Sequence, residues 1–551
     1  MYRLTHLPSR LPSLPPLPLA STGLDGVPST DGAWVLTAAI LGSSMAFIDG
    51  TVINVALPAL QSAFHASGAS LQWIVEAYAL SLSSLLLLGG SFGDLYGRRK
   101  SFLLGVIIFA SASVVCGFAP TPLIMIISRA IQGVGGALLV PGSLALISAF
   151  FPEKGRGNAI GIWSGSTAVT ASVGPLLGGW LIQHASWRYI FFLNVPIALL
   201  VVIVCLAKVP ESKRPLSSNL DWLGAFLAAT GLGFCTFALI EGSDPSSRHP
   251  LLLGVGATLL IVFLFWQRLA EFPMMPLDVF HSRSFSLANV ITFLTYAALS
   301  GALYYLPLQL IQVQGYTAAQ AGGVLVPMTV LIAVLSRWTG GLVLKMGQAV
   351  PLGMGSLLSS IGYALLLRLT PHGTYWGTIL PGVLFLGLGL AVMVAPLTTT
   401  VMNSVSQDRT GTASGINNAV SNVASLLAIA VCGIIFSGSF TGNLQRSLST
   451  SSLPHEVQQH IFDHRKDLGG TVVTGPNARS LVNNAFEASL HRVLSLCCLL
   501  SISAAISAIF LRSSPSQQTH SGSASVLQKE CSMSRRYEAV RSSKRTPVNL
   551  G

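Results

Sequence analysis

The sequence predicts an all-α integral membrane protein, and two observations carry that prediction. Hydrophobic residues make up 51% of the 551 residues, charged residues only 9%, and the mean hydropathy is +0.66. A soluble chain usually carries about 25% charged residues. The apolar residues also fall into repeated runs of roughly 20, the length that crosses a bilayer as a helix.

Fourteen apolar runs are long enough to span a membrane, with ends defined to within about 2–4 residues. They cover residues 34–58, 72–93, 101–119, 123–150, 159–183, 189–207, 221–241, 251–269, 285–312, 320–343, 351–369, 377–402, 415–437 and 489–511. An even number of spans places both termini on the same side of the membrane.

The distribution of Lys and Arg predicts which side that is. With the amino terminus inside, the short inner loops and adjoining span ends hold twelve basic residues, and their outer counterparts hold three. The inner set is Arg98, Arg99, Lys100, Lys154, Arg156, Lys208, Lys213, Arg214, Arg268, Arg283, Lys345 and Arg409, and the outer set is Arg188, Arg248 and Arg368. The bias predicts cytoplasmic termini in a multi-pass cell-membrane protein, with the long loop 438–488 outside.

The two terminal segments differ in composition from the spans. Residues 1–33 are rich in Pro and Ser and have no signal-peptide core, so we expect a disordered cytoplasmic tail or a start codon placed too far upstream. Residues 512–551 are rich in Ser and Arg, and we expect a second disordered cytoplasmic tail. Its spread basic residues are only a weak signal for anionic lipid.

Composition and spacing argue against several function classes. The net charge of +12 forms no basic stripe interleaved with aromatic residues, which argues against nucleic acid as a partner. The seven cysteines and the histidines lack metal-ligand spacing, so no metal is predicted. No phosphate-binding Gly-Lys loop is present, so an ATP-driven pump would need a separate subunit. We therefore predict a non-enzyme without cofactor.

Two acids stand inside apolar runs. Asp49 lies within the first run, and Glu76 lies within the second. A carboxylate is costly in lipid and normally faces a water-filled or protein-lined path, so an intramembrane acid predicts a functional site. At about 1.5 Å per residue, Asp49 lies ~13 Å and Glu76 ~6 Å below the outer helix ends, so the two acids could share one path.

The turn after the second span reads GSFGDLYGRRK over residues 90–100. It resembles the cytoplasmic signature of the major facilitator superfamily, G-x-L-a-D-r-x-G-R-R, with Phe92 and Leu95 replacing the usual Leu and Arg. The resemblance implies a gating latch, in which the Asp contacts the opposite half when the inner gate is shut. The implied gating residues are Asp94, Gly97, Arg98 and Arg99. The alternative is a positive-inside anchor, which needs neither Asp94 nor the glycine spacing.

The fourth span carries a second signature. Arg129, Gln132, Gly133 and Gly136 recur at i, i+3, i+4 and i+7 and therefore share one helix face. The segment resembles the family's R-x-x-Q-G-x-G, which implies a role for Arg129 in proton coupling. A guanidinium keeps its proton, so Arg129 must find a carboxylate, a carbonyl or water inside the bundle. The alternative is an arginine that snorkels to a nearby interface.

The fifth span contains GPLLGG over residues 174–179, with Thr170 where the family often has Gly. It resembles the signature of antiporters within the superfamily. Its small residues permit close helix contact and its proline permits a bend, so a pure packing role is also compatible. The residues of this helix-packing motif are Gly174, Pro175, Gly178 and Gly179. Gly157, Gly161 and Gly165 predict a second small-residue seam in the same helix.

Three further segments narrow the resemblance. FIDGTVINVALP at 47–58, WRYIFFLNVP at 187–196 and GYTAAQAGG at 315–323 are similar to the fourteen-span drug:proton antiporter branch. That branch implies a six-helix bundle at 34–207, an inserted helix pair with its loops at 208–284, and a second six-helix bundle at 285–511. The second half departs from the pattern at Leu344, where an acid often stands.

Other intramembrane polar residues are predicted to divide between the central cavity and interhelical hydrogen bonds. They are Gln309, Gln312, Arg337, Asn403, Asn417, Asn418 and Asn422.

The combined prediction is a fourteen-helix major facilitator fold that exports hydrophobic or cationic drugs or toxic compounds in exchange for protons. The proton- and substrate-coupling candidates are Asp49, Glu76 and Arg129. The expected partners are a small substrate, protons and membrane lipid, with the protein a monomer and accessory efflux components left open. The alternatives are a proton symporter for a small metabolite and a non-transporting membrane sensor or scaffold.

Overall fold

The computed structural model describes residues 30–511 apart from 152, 213–219, 242–248, 340–341, 371–372, 406–409, 466–467 and 469–474. Both predicted tails lie outside the described residues, except that residues 30–33 already belong to the first helix. Four of the basic residues used to predict orientation also lie outside: Lys213, Arg214, Arg248 and Arg409.

The described part of the chain is helical throughout and contains no strand. Its α-helices are α1 Thr30–Phe64, α2 Gly68–Tyr96, α3 Arg98–Phe118, α4 Pro122–Phe150, α5 Glu153–His184, α6 Tyr189–Phe192, α7 Asn194–Lys208, α8 Trp222–Ile240, α9 His249–Leu269, α10 Arg283–Leu308, α11 Ala318–Val324, α12 Val326–Thr339, α13 Leu342–Met346, α14 Ala349–Leu366, α15 Leu380–Asn403, α16 Thr410–Ser449, α17 His455–Asp463 and α18 Pro476–Ile509. A 3-10 helix covers Leu277–His281, and π-helical turns cover Gln309–Val313 and Tyr375–Ile379.

The helices are those of a polytopic membrane protein, as predicted. Among the described residues, thirteen helical segments are long and apolar enough to cross a bilayer. The 32-residue helix α5 occupies the position of the remaining predicted span. We call the membrane face that carries Arg98, Lys208 and Arg268 the basic face.

Two predicted features differ from the structure. The segment 438–488 is not one long loop, because α16 continues to Ser449 and α18 already begins at Pro476. Hydropathy marks where apolar residues end, whereas a helix continues into water as long as its backbone bonds persist. The tenth span is interrupted at Leu325, between α11 and α12, two residues before Pro327. A proline at that point removes a backbone donor from the helix.

Helix starts follow local capping chemistry. The Thr121 hydroxyl accepts from the backbone N–H of Ile124, and Pro122 occupies the first turn of α4, where its missing N–H costs nothing. At α11, the side chains of Thr317 and Gln320 form a reciprocal capping box. These caps define where α4 and α11 begin.

The helices form two groups joined by a pair. In the first group α1 packs against α4, α5 and α7, while α4 packs against α2 and α3. In the second group α10 packs against α16 and α18, and α14 packs against α15 and α18. The pair α8 and α9 pack on each other, and α8 also contacts α2 and α16 at the boundary between the groups.

Candidate functional site

A buried ion pair joins α1 to α4. Asp49 and Arg129 expose 1% and 0% of their surface, and Arg129 Nη1 donates to Asp49 Oδ2. Gln132 Nε2 donates to the other carboxylate oxygen, Asp49 Oδ1, at 2.9 Å. Both oxygens of the Asp49 carboxylate therefore have a donor, and the negative charge faces a fixed positive charge inside the bundle.

Arg129 has further partners beside Asp49. Its Nε donates to the backbone carbonyl of Ile74 at 3.1 Å, and its Nη1 also donates to Gln132 Oε1 at 2.8 Å. The guanidinium carbon lies 4.5 Å from the ring centroid of Tyr78, a cation–π contact. The predicted carboxylate and carbonyl partners are thus present. The alternative of a snorkelling arginine is wrong, because Arg129 is fully buried.

The polar network extends to residues that the sequence analysis did not select. Gln132 Nε2 lies 3.4 Å from Ser113 Oγ, which donates to the Phe191 carbonyl at 2.9 Å. Asn194 Nδ2 donates to the same hydroxyl at 2.9 Å. Polar side chains within α3 and at the start of α7, both otherwise apolar, were the available signal. The network therefore ties α1, α2, α3, α4 and α7 together around one carboxylate.

Glu76 lies apart from that network. It is fully buried, and among the described residues neither of its carboxylate oxygens has a hydrogen-bond partner. Glu76 lies close enough to Tyr304 and Tyr305 of α10 to interact with them electrostatically. One turn earlier, Gln72 Nε2 donates to the Tyr305 hydroxyl at 3.3 Å and to the Ile429 carbonyl at 3.4 Å.

The two acids therefore lie on different sides of α2. Residues 74 and 78 share the face of α2 that meets Arg129, whereas residues 72 and 76 share the face that meets α10 and α16. The sequence analysis expected the acids to share a path. In the structure the two acids are linked only indirectly, through α2. The Ile74 carbonyl of α2 accepts from Arg129, the partner of Asp49, and Ile74 lies two residues from Glu76.

The antiporter-like motif of α5 packs in two directions. A Cβ on Gly174 would lie 2.3 Å from Thr51 Oγ1, and one on Gly178 would lie 1.8 Å from Val52 Cγ2, so both glycines press on α1 next to Asp49. A Cβ on Gly179 would lie 2.4 Å from the Ala318 carbonyl oxygen of α11. Conversely, a Cβ on Gly322 of α11 would lie only 2.1 Å from the Pro175 carbonyl oxygen. The motif thus brings α5 into close contact both with α1 of its own group and with α11 of the second group.

The predicted second seam on α5 has no comparable contacts. Gly161 and Gly165 are exposed, and a Cβ on either would meet no described atom within 4 Å. The surroundings of Gly157 lie outside what the structure describes. The packing function of α5 is therefore located at residues 174–179.

The basic turn between α2 and α3 is held by a residue that sequence reasoning missed. Glu211, in the segment after α7, accepts from the backbone N–H groups of Arg99 at 3.1 Å and Lys100 at 3.3 Å. A carboxylate at a helix start offsets the orphan donors and the helix dipole. Gly97 has φ +115°, a conformation that disfavours side chains, and a Cβ there would lie 2.8 Å from Glu211 Oε1.

Asp94 makes its described ion pair within the same turn. Arg98 Nε donates to Asp94 Oδ1 at 2.8 Å, and the Asp94 side chain is 38% exposed. Arg99 Nη1 donates to the Val209 carbonyl at 3.0 Å. The predicted contact of Asp94 with the opposite half is not among these bonds, so in this conformer the turn is tied to its own half.

Comparison with known proteins agrees with this architecture and with the resemblance to the major facilitator superfamily. Residues 39–429 match the Major Facilitator Superfamily. The chain therefore belongs to this family of membrane transporters, and the resemblance drawn from its motifs is confirmed.

Several of its relatives within the family are named as resistance proteins. It is 33% identical over 431 residues to the multidrug resistance protein Stp of Mycobacterium tuberculosis, covering 78% of this chain and 80% of the relative. It is 32% identical to a puromycin resistance protein of Streptomyces alboniger, covering 78% and 86%. It is also 32% identical to a methylenomycin A resistance protein of Bacillus subtilis, covering 74% and 88%.

Solved structures share the fold. A bacterial homologue of the human lysosomal transporter Spinster, inward-facing and unoccupied, aligns with a TM-score of 0.60 at 21% identity, covering 89% of this chain and all of that one. The xylose transporter XylE from E. coli aligns with a TM-score of 0.55 at 15% identity, covering 89% and 100%. At these identities the likeness concerns the fold alone.

Proposed function

We propose that this protein exports hydrophobic or cationic drug-like compounds across the cell membrane in exchange for protons. The observation that carries the proposal is the buried Asp49 carboxylate, held by Arg129 and Gln132, in a chain whose relatives are named for drug resistance. Helix packing alone does not require a desolvated ion pair, because a protein with apolar residues of similar volume in its place is often at least as stable.

Asp49 is the proton-binding residue in this proposal. Protonation removes its charge and with it the attraction that holds Arg129 Nη1. Arg129 also bonds the Ile74 carbonyl, so a shift of the guanidinium is transmitted to α2. Because α2 contacts the second helix group through Gln72, the proton site is mechanically linked to the interface that must open and close during alternating access.

Glu76 is the substrate-competing residue. A buried carboxylate without a hydrogen-bond donor is costly when ionised, so it needs either a proton or a cation as its partner. A proton and a cationic substrate cannot both neutralise the same carboxylate. Glu76 lies at the boundary between the helix groups and binds either a proton or a cationic substrate, but not both. This competition provides the exchange step for cationic substrates.

We place the basic face in the cytoplasm, with both termini on that side. The excess of Arg and Lys on that face supports this orientation. An impermeant thiol reagent on intact cells should label a cysteine at Thr450, which is exposed at the end of α16, and should not label one at Lys100. The opposite pattern in a cysteine-free background would invert the orientation.

The function is tested with purified full-length protein in proteoliposomes carrying an imposed pH gradient. Ethidium serves as the cationic probe, and a neutral hydrophobic dye serves as the second. Antiport predicts that substrate moves against the proton flux and that a protonophore stops it. Movement in the same direction as protons would instead favour the symporter for a small metabolite, and no movement of either would favour a sensor or scaffold.

We further propose that the monomer suffices for transport. The same assay, run without accessory components, checks this.

A further inference from the structure

A groove of about 620 Å³ lies beside the inserted helix pair, between the last turns of α9 and the segment that leads to α10. Leu264 and Phe265 form one wall, and Met275 and Phe280 form the other. Pockets of roughly 300–1,000 Å³ are typical of sites that enclose a small molecule. None of these residues belongs to the polar network around Asp49 or to the interface at Glu76.

The two walls of the groove are hydrogen-bonded to each other. Gln267 Oε1 accepts from the backbone N–H of Met275 at 2.9 Å, which ties α9 to the opposite wall. Gln267 Nε2 and Trp266 Nε1 both donate to the buried Asp221 carboxylate, at 2.6 Å and 2.8 Å. Asp221 also accepts from the Gly224 N–H at the start of α8, so the groove is anchored to both inserted helices.

The groove opens to lipid rather than to the transport path. Leu264 and Phe265 are exposed at the surface of a helix that crosses the membrane, and α9 packs chiefly on α8. At about 1.5 Å per residue, the groove-lining Ile261 lies about 10 Å deeper along α9 than Arg268, which is in the last turn. The groove therefore runs from the hydrocarbon region to the membrane boundary on the basic face.

The boundary end of the groove is cationic. Arg268 and His281 line it, both are exposed, and no ion pair of Arg268 is found within the described residues. His281 uses Nδ1 towards the Asp278 carbonyl, which leaves Nε2 for another partner. The nearby acids Glu271 and Asp278 are exposed but do not line the groove. An apolar channel that ends in a guanidinium matches an acyl chain that ends in a phosphate.

We propose that this groove is a binding site for one anionic phospholipid of the leaflet on the basic face. Its acyl chain lies along Leu264 and Phe265, and its phosphate contacts Arg268 and His281. A cationic drug would meet like charge at Arg268, so charge complementarity selects the anionic lipid. The bound lipid joins α9 to the segment before α10 and stabilises the inserted pair at the edge of the bundle.

Native mass spectrometry of the full-length protein tests the site with phosphatidylglycerol and with phosphatidylcholine of the same acyl chains. The wild type should retain one phosphatidylglycerol in preference. A single cation near a membrane surface contributes roughly 1 kcal/mol, so Arg268→Gln should weaken that binding about fivefold. Leu264→Trp fills the groove without changing charge and should weaken the binding of both lipids. Lys208→Gln removes an exposed cation on the same face, outside the groove, and should change neither.

Four results would overturn the proposal. Equal retention of the two lipids by the wild type would reduce the groove to ordinary lipid-exposed surface. An unchanged affinity in Arg268→Gln, or an equal loss in Lys208→Gln, would mean that the charge effect is not local. Retention of soluble glycerol phosphate in place of the lipid would identify a free phosphate compound as the ligand.

Discussion

The two helix groups of this transporter share an architecture but differ in the chemistry of their interiors. Among the described residues, the buried charged side chains are Asp49, Glu76, Arg129 and Asp221, and all of them precede α8. The buried polar residues of the second group, from α10 onward, are neutral amides and hydroxyls such as Asn289, Thr292 and Gln309. The capacity to titrate is therefore concentrated in the first group.

The second group uses its polar residues to join helices. Asn417 Nδ2 of α16 donates to Thr292 Oγ1 at 2.7 Å and to Asn289 Oδ1 at 3.1 Å, which ties α16 to α10. Next to the boundary, Tyr305 stacks on Phe436 with ring centroids 4.3 Å apart. These groups can shape a cavity wall and hold it rigid, but they cannot exchange a proton at physiological pH. In the proposed mechanism the titrating acids therefore lie in the first group, and the second group supplies an uncharged wall.

Of the substitutions considered, neutralising Asp49 should reduce transport the most. Asp49→Asn keeps the size of the side chain but cannot titrate, so proton-driven export should fall to background. The substitution also leaves Arg129 as a buried cation without its counter-charge, which costs about 3 kcal/mol or more. Transport in proteoliposomes and thermal unfolding in detergent measure the two effects separately.

A double variant and a matched control sharpen this result. Asp49→Asn combined with Arg129→Gln should recover stability but not transport, because it removes the unpaired charge without restoring the proton site. Asn417→Ala removes a polar link of the second group and should leave proton coupling intact. If Asn417→Ala uncoupled transport as fully as Asp49→Asn, the contrast between the two halves would be wrong.

Arg129→Lys should fail nearly as badly as Arg129→Ala. Arg129 reaches Ile74 through Nε and both Asp49 and Gln132 through Nη1, and a single ammonium nitrogen cannot occupy both positions. A lost hydrogen bond to a charged group costs about 1.5–3 kcal/mol, so transport should drop at least about tenfold. Free substitution by Lys, measured as a normal initial rate, would reduce Arg129 to a generic positive charge.

Glu76→Gln should produce a selective loss. Cationic compounds lose the carboxylate that balances their charge, and we expect their export to fall about tenfold. Neutral compounds need no counter-charge and should be transported at nearly the wild-type rate. The comparison uses a cationic and a neutral dye in the same vesicles, with the exposed Glu271→Gln as control. An equal loss for both dyes would assign Glu76 to the general proton cycle.

The family and the charged site were predictable from the sequence because they depend on short motifs. Asp49 and Arg129 were each recognisable as intramembrane charges, and the need of Arg129 for a buried partner follows from its chemistry alone. Their pairing was not predictable, since it depends on how α1 and α4 cross. The separation of Glu76 onto another face of α2 likewise required three-dimensional packing. Glu211 was missed because it caps a helix more than a hundred residues away.

Gly179→Ala should impair the movement between the two groups. The added Cβ would lie 2.4 Å from the Ala318 carbonyl, and backbone at that distance must move apart. Overpacking costs about 1–3 kcal/mol, so the contact between the two groups should form less readily and transport should slow at least about fivefold.

A cysteine at Gln312, whose side chain donates to Gln61 of α1 across the boundary at 2.6 Å, should react faster with a thiol reagent in this variant. Gly161→Ala on the same helix is the control, because its Cβ meets no described atom within 4 Å. Equal slowing in both variants would point to a general effect on α5.

Asp94→Asn should give the smallest effect, and it separates a latch from an anchor. In this conformer Asp94 pairs with Arg98 at a partly exposed site, where such a pair contributes only about 0.3–0.5 kcal/mol. The folded protein should therefore lose almost no stability. If Asp94 instead contacts the second group when the basic face closes, its loss should slow each transport cycle about twofold or more while leaving substrate binding unchanged.

Asp463→Asn changes an exposed acid on α17 and controls for a change in surface charge. Binding measured by fluorescence and transport measured in the same preparation distinguish the outcomes. Unchanged transport would leave this turn as a topological anchor, held in place by Glu211 rather than working through Asp94.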